Sequence, residues 1–435
     1  MRYLSTRNLA HTASLSEAIS RGLAPDGGLY VPEQLPTLEL SDALEPRDLP
    51  ALAAELIAPF AVDDQLAPFL AEIAADAFNF PAPVIEIATA PGPLSVLELF
   101  HGPTAAFKDF GARFLAASME RIPRADPRRL TILVATSGDT GGAVAAAFFE
   151  RPWVDVVVLY PKGLVSARQE KQLACWGGNV RTLAVDGTFD DCQQMVKAAF
   201  VDSQLAERLL LSSANSINVG RLLPQMVYYA KASLELHRAD GRAPNFIIPT
   251  GNLGNALACI WARRIGLPIG DILLATNENQ SVPDFLRDGN WAPRASVPTL
   301  ASAMDVGNPS NMERLRWLYP DWSELRKQVS ADTVSDEEIR CTIRVDREAL
   351  GQTWCPHTAT AACVYSKLSP TRRAQRWVLV ATAHPAKFND IVEPLVGGTV
   401  PVPPQLAALL AKPSLQVDVD ANLAALREIL LESTV

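Results

Sequence analysis

Lysine is scarce in this chain: of 39 basic residues nine are lysine, and none precedes Lys108. Arginine is therefore its ordinary surface cation. Basic residues are also outnumbered, 39 against 48 Asp and Glu, giving a net charge of −9. That balance gives no footprint for nucleic acid or an anionic membrane, although local anion sites remain open to it. The six cysteines (Cys175, Cys192, Cys259, Cys341, Cys355, Cys363) are scattered, with no CxxC pair and no His spacing of a metal centre. Reduced thiols and no metal are expected. No apolar run approaches the roughly 18 residues of a membrane span, and Met1-Arg2-Tyr3-Leu4-Ser5-Thr6-Arg7 lacks a signal-peptide core. A cytoplasmic protein follows as the expectation. Neither the dinucleotide spacing GxGxxG nor the P-loop GxxxxGK[ST] occurs, so NAD and ATP are poor candidates.

With 435 residues, 48% hydrophobic and 20% charged, the composition is that of a globular protein with room for two or three domains. The first ninety residues read as a small, mainly helical region. Ser14 and Glu17 form a capping box for a helix stopping near Gly22, followed by a turn and the short strand Leu29-Tyr30-Val31. From about residue 84 to 383, short aliphatic runs alternate with longer alanine-rich segments. Residues 130–135, 154–160, 180–185, 245–248, 271–275 and 377–380 are the strand candidates. Such alternation implies parallel strands with crossover helices, hence an α/β protein with two buried sheets. The expected division is 1–90, 91–212 and 213–435, with a ligand cleft between the last two. Residues 121–129 and 289–298 read as surface loops, and the chain ends in a helix over 422–431.

The stretch from Leu97 to Gly111 carries the first chemical signal. Lys108 lies between Phe107 and Phe110, where partial desolvation favours the neutral, nucleophilic amine that a Schiff base needs. The same residues also suit a lysine whose stem lies on apolar surface while its head reaches water or Asp109. Two strand-to-helix junctions then have the composition of anion sites: Thr136-Ser137-Gly138-Asp139-Thr140-Gly141-Gly142, and Pro249-Thr250-Gly251-Asn252-Leu253-Gly254-Asn255. Their glycines let the backbone approach a ligand, and the following helix start offers unpaired N–H groups. A third cluster, Asn215-Ser216-Ile217-Asn218-Val219-Gly220-Arg221, adds hydroxyls, amides and a guanidinium suited to phosphate. A lysine in an apolar frame with a phosphate cradle suggests pyridoxal phosphate, and the second anion site then suggests a phosphorylated substrate.

Together the run through Lys108, the 136–142 loop, the 215–221 cluster, the 251–255 loop and Thr382-Ala383-His384-Pro385-Ala386-Lys387-Phe388 resemble the threonine synthase family, in its longer bacterial and fungal branch. The resemblance runs over nearly the whole chain. It implies the fold type II architecture of pyridoxal-phosphate enzymes, two parallel-sheet α/β domains of the tryptophan synthase β-like kind. It makes Lys108 the Schiff-base lysine, and Gly251, Asn252, Leu253, Gly254 and Asn255 the loop holding the cofactor phosphate. Asp139 falls beside the cofactor's ring hydroxyl, where related enzymes often carry Asn, and Thr382 faces the pyridine nitrogen. Ser137, Thr140, Asn215, Ser216 and Arg221 match the site for the substrate's phosphate and carboxylate. His101, His384 and Lys162 are attractive but equally suited to orienting backbone or meeting water, and Lys387 reads as structural.

The activity so implied is conversion of O-phospho-L-homoserine and water to L-threonine and phosphate by a monomer or homodimer. Two alternatives share the scaffold or the pocket: a phospho-lyase releasing phosphate and 2-oxobutyrate, and a non-catalytic binding protein. A serine or threonine dehydratase needs no second phosphate site, so the 215–221 cluster argues against it.

Overall fold

The computed structural model describes residues 1–38, 47–124 and 126–432. Its opening residues form a three-stranded antiparallel sheet of β1 (Tyr3–Ser5), β2 (Thr12–Ala13) and β3 (Tyr30–Pro32), in the order β2-β1-β3. The expected capping box is present on the helix Leu15–Arg21: Ser14 accepts from the Glu17 N–H while the Glu17 carboxylate accepts from the Ser14 N–H, and Gly22 closes the helix. Satisfying both orphan amides contributes about 1 kcal/mol. Helices Leu49–Ile57 and Leu70–Ala77 complete a mainly helical N-terminal region.

Two further sheets organise the rest. One contains β4 (Val84–Glu86), β5 (Leu94–Glu98), β10 (Asn245–Pro249), β11 (Ile272–Thr276), β12 (Val329–Thr333) and β13 (Trp377–Ala381), in the order β12-β11-β10-β13-β5-β4. Only β4 runs antiparallel. The other contains β6 (Leu130–Ala135), β7 (Val154–Pro161), β8 (Val180–Asp186), β9 (Leu210–Ser213) and β14 (Gln416–Asp420), in the order β14-β8-β7-β6-β9, all parallel. Strands β6, β7, β10, β11 and β13 are buried on both faces, as parallel strands covered by crossover helices must be.

All six strand candidates are strands, within a residue or two at their ends. The sheets, however, do not follow the divisions expected at 91 and 212. Strand β5 pairs with β13 in the six-stranded sheet, and β14 pairs with β8 in the five-stranded one. A strand joins the sheet it meets in space, β5 between β13 and β4 and β14 at the edge beside β8, and sequence adjacency does not fix which sheet that is. Among the described residues the first ninety hold four short strands, β1 to β4, of which the sequence singles out one, at Leu29-Tyr30-Val31. Residues 289–298 carry no regular structure, and so do 122–129 as far as they are described, position 125 lying outside the described residues. The closing helix is Leu423–Glu432.

Strand β10 stands between β11 and β13, so a crevice opens at its carboxyl end. The carboxyl ends of β6 and β13 face the same space, and the loops leaving all three build the site.

Candidate active site

The backbone before Lys108 is folded by a buried carboxylate. Asp109 accepts from the Thr104 N–H at 2.9 Å and from the Thr104 hydroxyl at 2.7 Å. Gly102 lies against the same group, where a Cβ would come within 2.5 Å of Oδ2. Ala105 then takes φ 54°, and Ala106 bridges to Ala383. The Phe107 N–H donates to the Thr382 carbonyl at 2.8 Å, and the His384 N–H to the Ala105 carbonyl at 3.0 Å. These bonds fasten the start of the helix Lys108–Arg121 beside the residue that follows β13. Lys108 is the first residue of that helix, with Nζ 4.4 Å from the centre of the Phe107 ring. A helix N-terminus disfavours an ammonium. Burial first and the Arg221 charge second push the Lys108 amine down to about 8, against the pull of Asp139.

Opposite the amine is the loop after β10. Gly251 packs on the backbone of Met304, where a Cβ would lie 2.7 Å from Cα, so only glycine fits. Leu253 adopts φ 62° to start the helix Gly254–Arg264, whose first N–H groups have no partner within the helix. Asn252 braces the loop from both ends of its amide: Nδ2 donates to Ser216 Oγ at 2.6 Å, and Oδ1 accepts from the Ser310 N–H at 2.6 Å. Asn255 Oδ1 accepts from the Tyr228 hydroxyl at 2.5 Å and the Tyr229 hydroxyl at 2.8 Å. Its Nδ2 is buried without a partner. Arg221 donates through Nη1 to the Ala214 carbonyl at 2.5 Å, and its Nε is likewise buried and unpartnered.

The third wall comes from the loop after β6. Gly138 at φ 135° turns the chain into the helix Asp139–Phe148, and Thr136 Oγ1 accepts from the N–H groups of Gly138 and Gly141 at 3.0 and 2.9 Å. Asp139 is buried. Its Oδ1 receives Lys387 Nζ at 2.7 Å and Gln169 Nε2 at 3.1 Å. Burial works to raise the Asp139 carboxyl, but Lys387, then His357 and the hydrogen bonds from Lys387 and Gln169, hold it below the usual carboxylate range. His357, at the start of the helix Pro356–Lys367, accepts the Ala303 N–H on Nε2 at 3.0 Å. Burial, with Lys387 and Lys108 nearby, brings it down to about 4 despite Asp139, so the ring is neutral with its proton on Nδ1. That nitrogen is buried without a partner.

Lys108, Asp139, Ser216, Arg221, Gly251, Asn252, Leu253, Gly254, Asn255 and Thr382 thus line one cavity, joined by Phe107, Gln225, Met304 and His357. Ser137, Thr140 and Asn215 are outside its lining; Thr140 and Asn215 each adjoin a lining residue in the chain, Asp139 and Ser216, and Ser137 does not. His101 pairs with Glu98 at 2.8 Å, His384 Nδ1 accepts from the Ala386 N–H, and Lys162 pairs with Asp418 at the surface. His357, Met304 and Gln225 were not legible as site residues, and Lys387 is more than a bystander. The unpartnered donors Asn255 Nδ2 and Arg221 Nε, the glycine-only contact at Gly251 and the helix start fit a phosphate-bearing group whose other end reaches the Lys108 amine.

Comparison with known proteins agrees with this geometry. Residues 81–383 match the family described as pyridoxal-phosphate dependent enzyme, which sets the class of the fold and the site. Residues 2–78 match the threonine synthase N terminus and 358–430 the threonine synthase C-terminal region. The threonine synthase of Escherichia coli (strain K12) is 40% identical over 434 residues, 99% of each chain. A crystal structure of threonine synthase from Escherichia coli, 39% identical, superposes with a TM-score of 0.90, covering 99% of this chain and 100% of that one. A pyridoxal-phosphate-bound threonine synthase from Brucella melitensis, 34% identical and covering 99% of both chains, gives the same TM-score of 0.90. The chain belongs to the threonine synthase family of pyridoxal-phosphate enzymes.

Proposed function

We propose that this protein converts O-phospho-L-homoserine and water to L-threonine and phosphate. The observation that carries the reading is a buried lysine amine at one end of a cavity whose other end is a helix start with the unpartnered donor Asn255 Nδ2. Pyridoxal phosphate, when bound, supplies an electron sink for negative charge developing on the substrate's carbon chain. Lys108 is its covalent anchor and, once released as a free amine, the base that takes the proton from the substrate's α-carbon. Gly251, Asn252, Leu253, Gly254 and Asn255 hold the cofactor phosphate through backbone N–H groups and Asn255 Nδ2. Thr382 would meet the ring nitrogen and Asp139 the ring hydroxyl. Arg221 and Ser216, with Ser137, Thr140 and Asn215 from the flanking loops, take the substrate's phosphate and carboxylate. Loss of a proton from the β-carbon accompanies departure of phosphate from the γ-carbon, stabilised by the Arg221 guanidinium. The γ-carbon then takes up a proton, water adds at the β-carbon and the α-carbon regains its proton.

The partner is this small molecule, and the setting is the cytoplasm, with a monomer or homodimer as the unit. Among the described residues no helix is long and apolar enough to cross a membrane, which accords with that reading. Each large sheet, with its covering helices, forms one wall of the cleft.

The test is incubation of the purified protein with pyridoxal phosphate and O-phosphohomoserine, following phosphate while identifying the carbon product. Threonine equal to phosphate is the expected result. Phosphate with 2-oxobutyrate would make the enzyme a phospho-lyase, and no phosphate at all would remove the catalytic reading.

A further inference from the structure

Beside Lys108 a buried ion pair bridges the two large sheets. Asp139 comes from the loop after β6 in the five-stranded sheet, Lys387 from the turn Pro385–Phe388 after β13 in the six-stranded one. Lys387 is 1% exposed, and its Nζ also donates to the Thr104 carbonyl at 2.8 Å, so its place is fixed from two sides. Among the described residues the donors to Asp139, Lys387 Nζ and Gln169 Nε2, both fall on Oδ1. Oδ2 is the oxygen left for the cavity that Asp139 lines.

We propose that Lys387 is a positioning residue: by closing onto Asp139 Oδ1 across the two sheets, it presents Asp139 Oδ2 as an ionised acceptor to a hydrogen-bond donor on the bound cofactor. An ionised carboxylate can only accept. A cofactor hydroxyl or protonated nitrogen next to Oδ2 is therefore kept protonated, the reverse of what a donating amide would do there. The pair also answers a cost, since a carboxylate buried alone takes up a proton instead of staying charged. Lys387 is the cation in direct contact with Asp139. His357 and Cys355 face Asp139 from the start of the helix Pro356–Lys367, and Lys108 faces it across the cavity. Asp109 and His384 face Lys387 from its other side.

The inference rests on the cofactor lying beside Lys108, and the visible absorbance of the loaded parent protein checks that first. A colourless parent overturns both the site and this role for Lys387. With a coloured parent, the measurement is the cofactor spectrum of Lys387→Met against pH, alongside cofactor affinity. Without its cation Asp139 gains a proton within about pH 5 to 8, so a spectral step is expected there. That step must be absent from the parent and from the Asp139→Asn/Lys387→Met double variant, in which no lone charge is left buried. Spectra of Lys387→Met that superimpose on the parent's at every pH, with equal affinity, overturn the proposal. If Lys387→Met does not fold, Asp139→Asn decides: its cofactor absorbance maximum shifts from the parent's at neutral pH, and an unmoved maximum overturns it.

Discussion

Asn255→Ala separates what the cofactor loop does for the fold from what it does for the ligand. The side chain is used at both ends: Oδ1 accepts from Tyr228 and Tyr229, and Nδ2 is buried without a protein partner. Truncation leaves Tyr228 with Gln225 Oε1 at 3.0 Å but strands the Tyr229 hydroxyl, which is 0% exposed. One stranded buried hydroxyl costs about 1–3 kcal/mol, and the denaturation midpoint of the cofactor-free protein should fall accordingly. The lost Nδ2 donor is a separate quantity. A hydrogen bond to a charged phosphate is worth about 1.5–3 kcal/mol, so the dissociation constant for pyridoxal phosphate should rise about 10- to 150-fold. Adding Tyr229→Phe removes the stranded hydroxyl, so the double variant should recover most of the stability and none of the affinity. Fluorescence titration with the cofactor and chemical denaturation of the four proteins make the measurement. Affinity that returns with Tyr229→Phe would show that Asn255 acts only through the tyrosines, and unchanged affinity in Asn255→Ala would take Nδ2 away from the phosphate.

Lys108→Ala should lose turnover and the visible absorbance of the bound cofactor together. In the parent, capture of pyridoxal phosphate by the cofactor-free protein should quicken about tenfold per pH unit below about 8 and level off above it, because the neutral amine is the reactive form; a flat stopped-flow profile across that range would contradict the assigned environment. Arg221→Lys keeps the cation but loses the planar fork, so KM for O-phosphohomoserine should rise about 10- to 100-fold with a smaller change in kcat; an unchanged KM would move the substrate phosphate elsewhere. Gly251→Ala puts a methyl 2.7 Å from Met304 Cα, a backbone atom that cannot swing aside. An overpacking cost of about 1–3 kcal/mol should appear as weaker cofactor binding, and wild-type affinity in that variant would mean that the loop shifts freely.

The central strands were legible because each is an uninterrupted aliphatic run, buried on both faces. The strands without a sequence signal are short or polar. In Gln416–Asp420 Val419 alone is buried, so nothing alternates, and Val329–Thr333 has a single buried residue. The site was legible where chemistry is local: a lysine in an aromatic frame and glycines before a helix. His357 was hidden because its helix, Pro356–Lys367, is buried on every side through its first ten residues and so looks like core. Lys387 had a usable signal. It is another of the nine lysines, set between Ala386 and Phe388 as Lys108 is set among phenylalanines. Its partner Asp139, in the loop after β6, is far away in the chain, which is why the sequence alone reads it as structural.

The crossing of the chain between sheets also governs the order in which the protein can be made. Strand β8 exposes a pairing edge as soon as its own segment leaves the ribosome, yet its neighbour β14 is the last strand to be synthesised, after β10, β11, β12 and β13. Until then the nascent five-stranded sheet carries an open parallel edge, the kind of surface that recruits other chains. Emergence of Gln416–Asp420 is therefore the event that seals it, and a message truncated between residues 383 and 415 would yield a product prone to aggregate even though every residue lining the cavity is already present.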